Sequence, residues 1–438
     1  MSPAINSGPL AGLTILRFAH AYDSGGGTER YLDDLDRALL ERNAMTVIRL
    51  HLSRSAAVNS PIEQDVGRGR LIRIPLPVVK DAARNMPSSE HSLGVRLKQM
   101  ARDWVLYNPI IWRVWGARWA ASRPLPPEAG QAIGAGPAAA AVMRARRVDL
   151  VMLHFFGGAD ADEVAVESRK AGVPLAVLNH YSNDRFLHFA IRKHVMLANA
   201  VAGVNGLGLP RYLRDGFANL SDGIDTDFFR HDLARPLADS PASGRRLQPS
   251  EPLILLPARV VREKGQMDLV RAAASLRASG LKCRLAFAGR VDSTAFVDEL
   301  RQEIARVGMT ESVLFPGNLT VEALRDWYAA SSVVAFPTYH HEGLGRVIVE
   351  AQAMGVPVVA YATGGVPEGI ISGKTGFLVA TGDVAGLAAR LRELLLAPNL
   401  RESMGARGRA EAEKQFSLAA LASRHEQFYL ATVASFRT

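Results

Sequence analysis

Two glutamates eight positions apart enclose the run Glu342-Gly-Leu-Gly-Arg-Val-Ile-Val-Glu350. Gly343 and Gly345, on either side of Leu344, read as the approach to a helix. Eight helical residues rise about 12 Å. Carboxylates at that separation suit the two ends of a nucleotide sugar, one on the sugar hydroxyls and the other on the ribose. The N–H groups of Gly343, Leu344 and Gly345 would stand between them, where a helix start offers donors to a diphosphate. Spacing alone fits two solvated helix glutamates equally well. A basic stretch, Arg259-Val-Val-Arg-Glu-Lys264-Gly265, follows the apolar run 253–256. Arg and Lys at the C-terminal end of a strand suit a departing diphosphate, the first as a planar fork and the second as a point charge. By itself such a stretch also fits a solvated basic turn.

Those side chains need elements to hold them. Residues 13–18 read as a short buried strand, followed by Gly25, Gly26 and Gly27 and then by Leu32, Leu35 and Leu39 on one helical face. Strand, glycine turn and helix open a parallel α/β unit. Further strand-like runs lie at 45–50, 150–153, 175–178 and 201–204. Pro236, Ser240, Pro241, Ser243, Gly244, Pro249 and Ser250 then crowd together as linker residues do. A second series follows, with strands at 253–256, 284–288, 313–315, 333–336 and 356–360 and helices at 266–278, 295–307 and 321–330. The expected fold is α/β, two Rossmann-like domains facing each other across a cleft, with ligand at the strand C-termini. The expected division is 1–235 and 236–415, with a last helix within 416–438 returning to the first domain.

A chain of 438 residues with 48% hydrophobic side chains has room for two such cores. Its formal charge of +9 favours anionic partners. The single cysteine, Cys283, excludes an internal disulfide and a cysteine-cluster zinc site. No basic segment near Met1 leads into an apolar stretch, and no apolar run reaches the roughly 20 residues of a spanning helix, so a cytoplasmic location is expected.

Taken together, the ordered motifs resemble the GT-B glycosyltransferases of the family 4 type, which use nucleotide sugars and retain anomeric configuration. The matching residues are Gly25 to Glu29, Asp222-Gly-Ile-Asp-Thr-Asp-Phe228, Arg259 with Lys264-Gly265, Phe287-Ala-Gly289, Phe315-Pro-Gly317, Glu342 to Glu350, and Gly364-Gly-Val-Pro-Glu368. The resemblance implies that Glu342 holds donor-sugar hydroxyls, Glu350 the ribose, and Arg259 with Lys264 the diphosphate. It implies that Gly26 and Gly27 let the first loop approach the same phosphates without a Cβ, and that Gly317, Asn318 and Leu319 border the base. His180, in Leu178-Asn-His-Tyr-Ser-Asn-Asp184, stands where the family often has a histidine near the anomeric carbon. His154 also ends a strand, and is expected on the acceptor side. A histidine after a strand is also commonly a hydrogen-bonded structural residue. No cofactor and no dedicated metal are implied, since the acidic pair Asp225 and Asp227 falls inside the inter-domain motif. Ser372-Gly-Lys-Thr375 imitates the end of a phosphate-binding loop, but the motif's first glycine would fall at Glu368. Asp222 stands where the family commonly has Asn, and Leu344 where Phe is usual.

One stretch falls outside these motifs. Residues 91–149 carry nine Arg or Lys against three acidic residues, and four of the five tryptophans. Trp112, Trp115 and Trp119 fall on one helical face with Arg113 and Arg118 turned away. Aromatics flanked by cations suit a lipid headgroup layer, and an aromatic stripe equally suits a buried core helix. The expected partners are a nucleotide-sugar donor and a glycan or lipid-linked acceptor, with association at the inner membrane face and no nucleic acid. Two alternatives stay open, a nucleotide-sugar epimerase on the same fold and a non-catalytic nucleotide-sugar or glycan-binding protein.

Overall fold

A computed structural model of the chain describes residues 7–22, 27–53, 61–77, 134–154, 159–180, 197–204, 218–237 and 251–437. Gly26 and the tryptophan-rich residues Trp112, Arg113, Trp115, Arg118 and Trp119 lie outside them.

In the N-terminal half the described elements run β1 (Thr14–Tyr22), α1 (Gly27–Arg42), β2 (Thr46–Ser53), β3 (Ile62–Val66) and β4 (Gly69–Pro77). There follow α2 (Ala135–Ala145), β5 (Leu150–His154), α3 (Ala159–Lys170), β6 (Leu175–Asn179), β7 (Ala200–Gly203) and β8 (Ala218–Asn219). The sheet order is β3-β4-β2-β1-β5-β6-β7-β8, parallel except for the β3–β4 hairpin. β5 and β6 are buried on both faces, as expected of unbroken apolar strands between helical layers.

The second series runs β9 (Leu253–Leu256), α4 (Gln266–Ala278), β10 (Arg284–Phe287), α5 (Thr294–Arg306), β11 (Val313–Leu314), α6 (Val321–Ala329) and β12 (Val333–Phe336). It continues with α7 (Arg346–Ala353), β13 (Val358–Tyr361), α8 (Val366–Gly369), β14 (Gly376–Val379), α9 (Val384–Leu396), α10 (Pro398–Gln415) and α11 (Leu418–Arg437). This sheet is parallel throughout, in the order β11-β10-β9-β12-β13-β14. Strand order reverses between β1 and β5 in one sheet and between β9 and β12 in the other. In open α/β sheets those reversals are where successive crossovers part to opposite faces and leave a crevice at the strand C-termini.

The two cores adjoin in sequence at residues 220–224. Leu220 belongs to the core of the first sheet, whereas Ile224 and Phe229 belong to that of the second. The chain returns beside its own crossing: Ile224 N–H donates to Phe416 O at 2.8 Å, and Ile224 bridges Ser417. α11 then fills the first core with Leu421, Ala422, Phe428, Tyr429 and Val433 against Tyr31, Leu32 and Leu35 of α1. It runs from Leu418 to Arg437, inside the stretch 416–438 expected for the last helix. No described helix is long and apolar enough to cross a membrane.

Candidate active site

Beyond β9 the chain makes a 3₁₀ turn at Arg262–Lys264 and reaches Gly265, whose φ is 75°. A Cβ there would fall 1.9 Å from Pro337 O, so only glycine lets this loop lie against the loop that follows β12. Two further bonds join the loops, because Glu263 O accepts from Tyr339 N–H at 2.8 Å and from Thr338 Oγ1 at 3.2 Å. The result is an ion pair between Lys264 Nζ and Glu342 Oε1. The ammonium also lies 6.0 Å from the centroid of the Phe336 ring. Two motifs 78 residues apart thus meet at the reversal of the C-terminal sheet. Arg259 stands exposed at the rim, with Nη1 2.6 Å from Asp292 Oδ2.

Glu342 sits in the loop that leads into the helix, so the eight residues from it to Glu350 are not all helical. Gly345 has a φ of 85°, which a right-handed helix does not admit, so α7 starts only at Arg346. Leu344 turns its side chain into the core, leaving its backbone as the part that faces the loop. Glu350 is buried in α7. Tyr328 Oη donates to its Oε2 at 2.9 Å, while Oε1 has no hydrogen-bond partner among the described residues. That oxygen faces two guanidinium groups, Arg30 Nη1 at 3.7 Å and Arg346 Nε at 3.8 Å. Burial and the Glu350 charge push the Tyr328 hydroxyl well above its ordinary pKa, so it acts as a donor.

Arg346 links the halves. It donates to Gly223 O at 3.0 Å and to Asp34 Oδ2 of α1 at 2.8 Å. Burial alone would lower its pKa, but Glu350, Asp34 and Asp222 raise it above the ordinary value. Burial raises the Asp222 carboxyl, with Arg346 opposing and Glu342 adding to the rise.

Across from Gly343 stands the end of β6. A Cβ on Gly343 would fall 2.8 Å from His180 O and 3.0 Å from Val204 Cγ2, so this glycine sets how near the glutamate loop comes to the first sheet. His180 Nε2 lies 3.2 Å from Nδ1 of His154, at the end of β5. His154, expected on the acceptor side, is buried beneath that contact. Tyr31 sets its ring edge-on to His180, with centroids 4.8 Å apart, and its hydroxyl donates to His425 Nε2 at 3.1 Å. His425 Nδ1–H in turn donates to Leu421 O at 3.0 Å. Burial pushes all three imidazoles down: His154 and His180 well below the usual value, His425 to about 3.

Gly27 opens α1 beyond the first strand. Gly317, with φ 76°, and the exposed Asn318 lead from β11 toward Leu319, which packs beside the core cluster containing Tyr328 and Ile348. The Ser372 to Thr375 imitation is a closed turn in which Thr375 Oγ1 accepts from Ile371 N–H at 3.0 Å. Among the described residues no three His, Cys, Asp or Glu side chains gather as a metal centre would require. Arg346 and Arg30 were within reach of sequence reasoning, one four residues before Glu350 and the other just after the glycine loop. Tyr328 and Asp34 carry no such signal, since only tertiary packing brings them near.

Residues 243–411 match the family model described as glycosyl transferases group 1. A GDP-mannose-dependent alpha-(1-6)-phosphatidylinositol monomannoside mannosyltransferase of Mycolicibacterium smegmatis is 34% identical over 215 residues, 45% of this chain and 55% of that protein. The capsular polysaccharide biosynthesis glycosyltransferase CapM of Staphylococcus aureus is 30% identical over 162 residues, 36% of this chain and 40% of that protein. The chain thus spans about half the length of the curated relatives it matches. The whole chain superposes on solved structures. A Rickettsia africae glycosyltransferase gives a TM-score of 0.66 at 16% identity, covering 96% of this chain and 98% of that one. Anabaena HepE in complex with UDP-glucose gives 0.63 at 20% identity, covering 97% and 100%. The chain therefore has the GT-B fold, and its segment 243–411 matches the glycosyl transferases group 1 model.

Proposed function

We propose that the chain is a retaining glycosyltransferase of the family 4 type, moving a hexose-type unit from a UDP- or GDP-sugar to a glycan or lipid-linked acceptor. The observation that carries this reading is the meeting of Lys264 with Glu342 where strand order reverses, with Glu350 buried behind them and His180 opposite Gly343. Lys264 and Arg259 take the diphosphate, together with backbone N–H groups of residues 343–345. Glu342 holds the sugar hydroxyls, and Glu350 Oε1, which accepts no hydrogen bond among the described residues, accepts from the ribose. Residues 317–319 border the base, and His180 stands by the anomeric carbon. Charge that gathers on the departing nucleotide is stabilised by cations already fixed in place. The acceptor attacks from the face the leaving phosphate vacates, and no dedicated metal takes part.

The relatives' activities make GDP-mannose the first donor to try and a phosphatidylinositol mannoside or a capsular glycan the first acceptor. Such acceptors place the work in cell-surface glycolipid or polysaccharide synthesis, at the inner membrane face. Purified protein is incubated in EDTA with a panel of nucleotide sugars, with and without membrane extract, and nucleotide release is scored. One donor should be consumed faster when acceptor is added, and the product should keep the donor's anomeric configuration. If no nucleotide sugar is bound or consumed and Glu342→Ala matches wild type, the reading fails. An inverted product would overturn retention alone.

A further inference from the structure

His154 and Arg17 point to the same face of the first sheet. Ala19 is in register with His154, and Arg17 precedes Ala19 by two residues. α1 and α11 cover this face, with Tyr31 and Tyr429 in its core. Arg17 is itself fully buried, paired with Asp36 and bonded through Nη2 to Tyr429 Oη at 3.2 Å. His154 therefore sits in a closed environment, and among the described residues its one hydrogen-bonding contact is the 3.2 Å approach of Nδ1 to His180 Nε2. Its other nitrogen, Nε2, is buried with no hydrogen-bond partner among the described residues.

That orphan decides the direction of the bond. Burial keeps both imidazoles neutral, so each ring has one N–H and one lone pair. If His180 donated from Nε2, the His154 proton would have to sit on Nε2, a buried N–H with no acceptor. If His154 donates from Nδ1, only a lone pair is left at Nε2. Buried N–H groups without acceptors are rarer than under-used acceptors. An unmade bond at a buried donor costs about 1–3 kcal/mol. The Arg17 guanidinium, which depresses the His154 pKa, favours a lone pair nearby for the same electrostatic reason.

We propose that His154 is a positioning residue for glycosyl transfer: by donating Nδ1–H to His180 Nε2 it fixes His180 as the Nδ1–H tautomer. That is the less common form of a free histidine, so the protein has to impose it. His180 then carries its proton on the nitrogen that is not bonded to His154, a defined donor rather than a mixture of donor and acceptor. The catalytic part of this inference rests on the glycosyltransferase reading above; the tautomer does not.

Nitrogen-15 chemical shifts of the imidazole rings in uniformly labelled, full-length protein report which nitrogen is protonated. A His180→Gln sample identifies the His180 signals. Wild-type His180 should be protonated at Nδ1. His154→Phe keeps a ring but removes the donor, and should move His180 toward the Nε2–H form. It should also lower kcat by about 10- to 100-fold with the donor KM little changed. His154→Asn places an amide N–H near the old Nδ1 and should restore both the shift and most of the turnover. A wild-type His180 protonated at Nε2 overturns the proposal, as does a His154→Phe protein that keeps the Nδ1–H form or full kcat. Should His154→Phe fail to fold, the wild-type shifts and the His154→Asn protein still decide the matter. If the tautomer moves as expected but no nucleotide sugar is consumed by any form, the histidine pair stands and the glycosyltransferase reading falls.

Discussion

A diphosphate that takes the Lys264 ammonium also releases the Glu342 carboxylate, because the two side chains are bonded to each other. Arg259 has a similar exchange to make with Asp292, from a more exposed position. Glu342→Gln should therefore separate binding from chemistry. The variant frees Lys264, so the nucleoside diphosphate product binds as tightly as before or tighter by calorimetry. On the proposed role of Glu342 it also removes the partner of the sugar hydroxyls, so kcat falls by about 100-fold or more. Equal losses in both quantities would contradict the exchange. That Arg259, Lys264 and Glu342 stand in loops after apolar strands was legible in the sequence, because charge at a glycine-rich turn after such a run is itself the signal. Their partners were not. Tyr328, which holds one oxygen of Glu350, lies on another helix, and its hydroxyl shows nothing of that duty in the local pattern.

Among elements, those made of unbroken apolar runs were the readable ones. β9 and β12 are buried at every residue, and burial on both faces is what such a run demands. The β3–β4 hairpin was missed because its first strand is almost wholly exposed and its second mixes Arg70 and Arg73 with apolar residues. α11 was legible as a helix, but its cargo of polar core residues was not. His425 on α11, together with His154 and His180 beneath α1, is buried neutral. In the unfolded chain each histidine takes a proton below about pH 6.5, whereas in the folded one it does so only at a lower pH. Stability should therefore decline as pH falls from about 6.5, by about 1 kcal/mol per histidine per pH unit. Urea midpoints at pH 7.5 and 5.5 test this, and equal midpoints would refute neutral burial. The same helix anchors through Leu421, so Leu421→Ala should cost about 2–5 kcal/mol.

At the scale of the molecule, Arg346 is the side chain that belongs to both halves. Its helix is part of the second sheet's layer, and its guanidinium holds Asp34 of α1 and the carbonyl of Gly223 at the crossing. Arg37 of α1 adds a second tie, to Asp225 at 2.9 Å. Arg346→Ala leaves Asp34 with Arg37 and Glu350 with Arg30, and the loss of their shared cation should cost about 1–3 kcal/mol. Calorimetry should then resolve a single unfolding transition into two, one per half. A single transition shifted as a whole would mean that the crossings at 220–224 and 416–418 couple the halves without it. Those crossings also divide the chain unequally in time. The second core is built from one continuous stretch, Ile224 to Phe416, whereas the first needs residues near the N-terminus and then Leu421 to Val433. On the ribosome, the half translated later is thus the first able to complete itself. The half translated earlier has to wait, its apolar α1 face open, until α11 clears the exit tunnel.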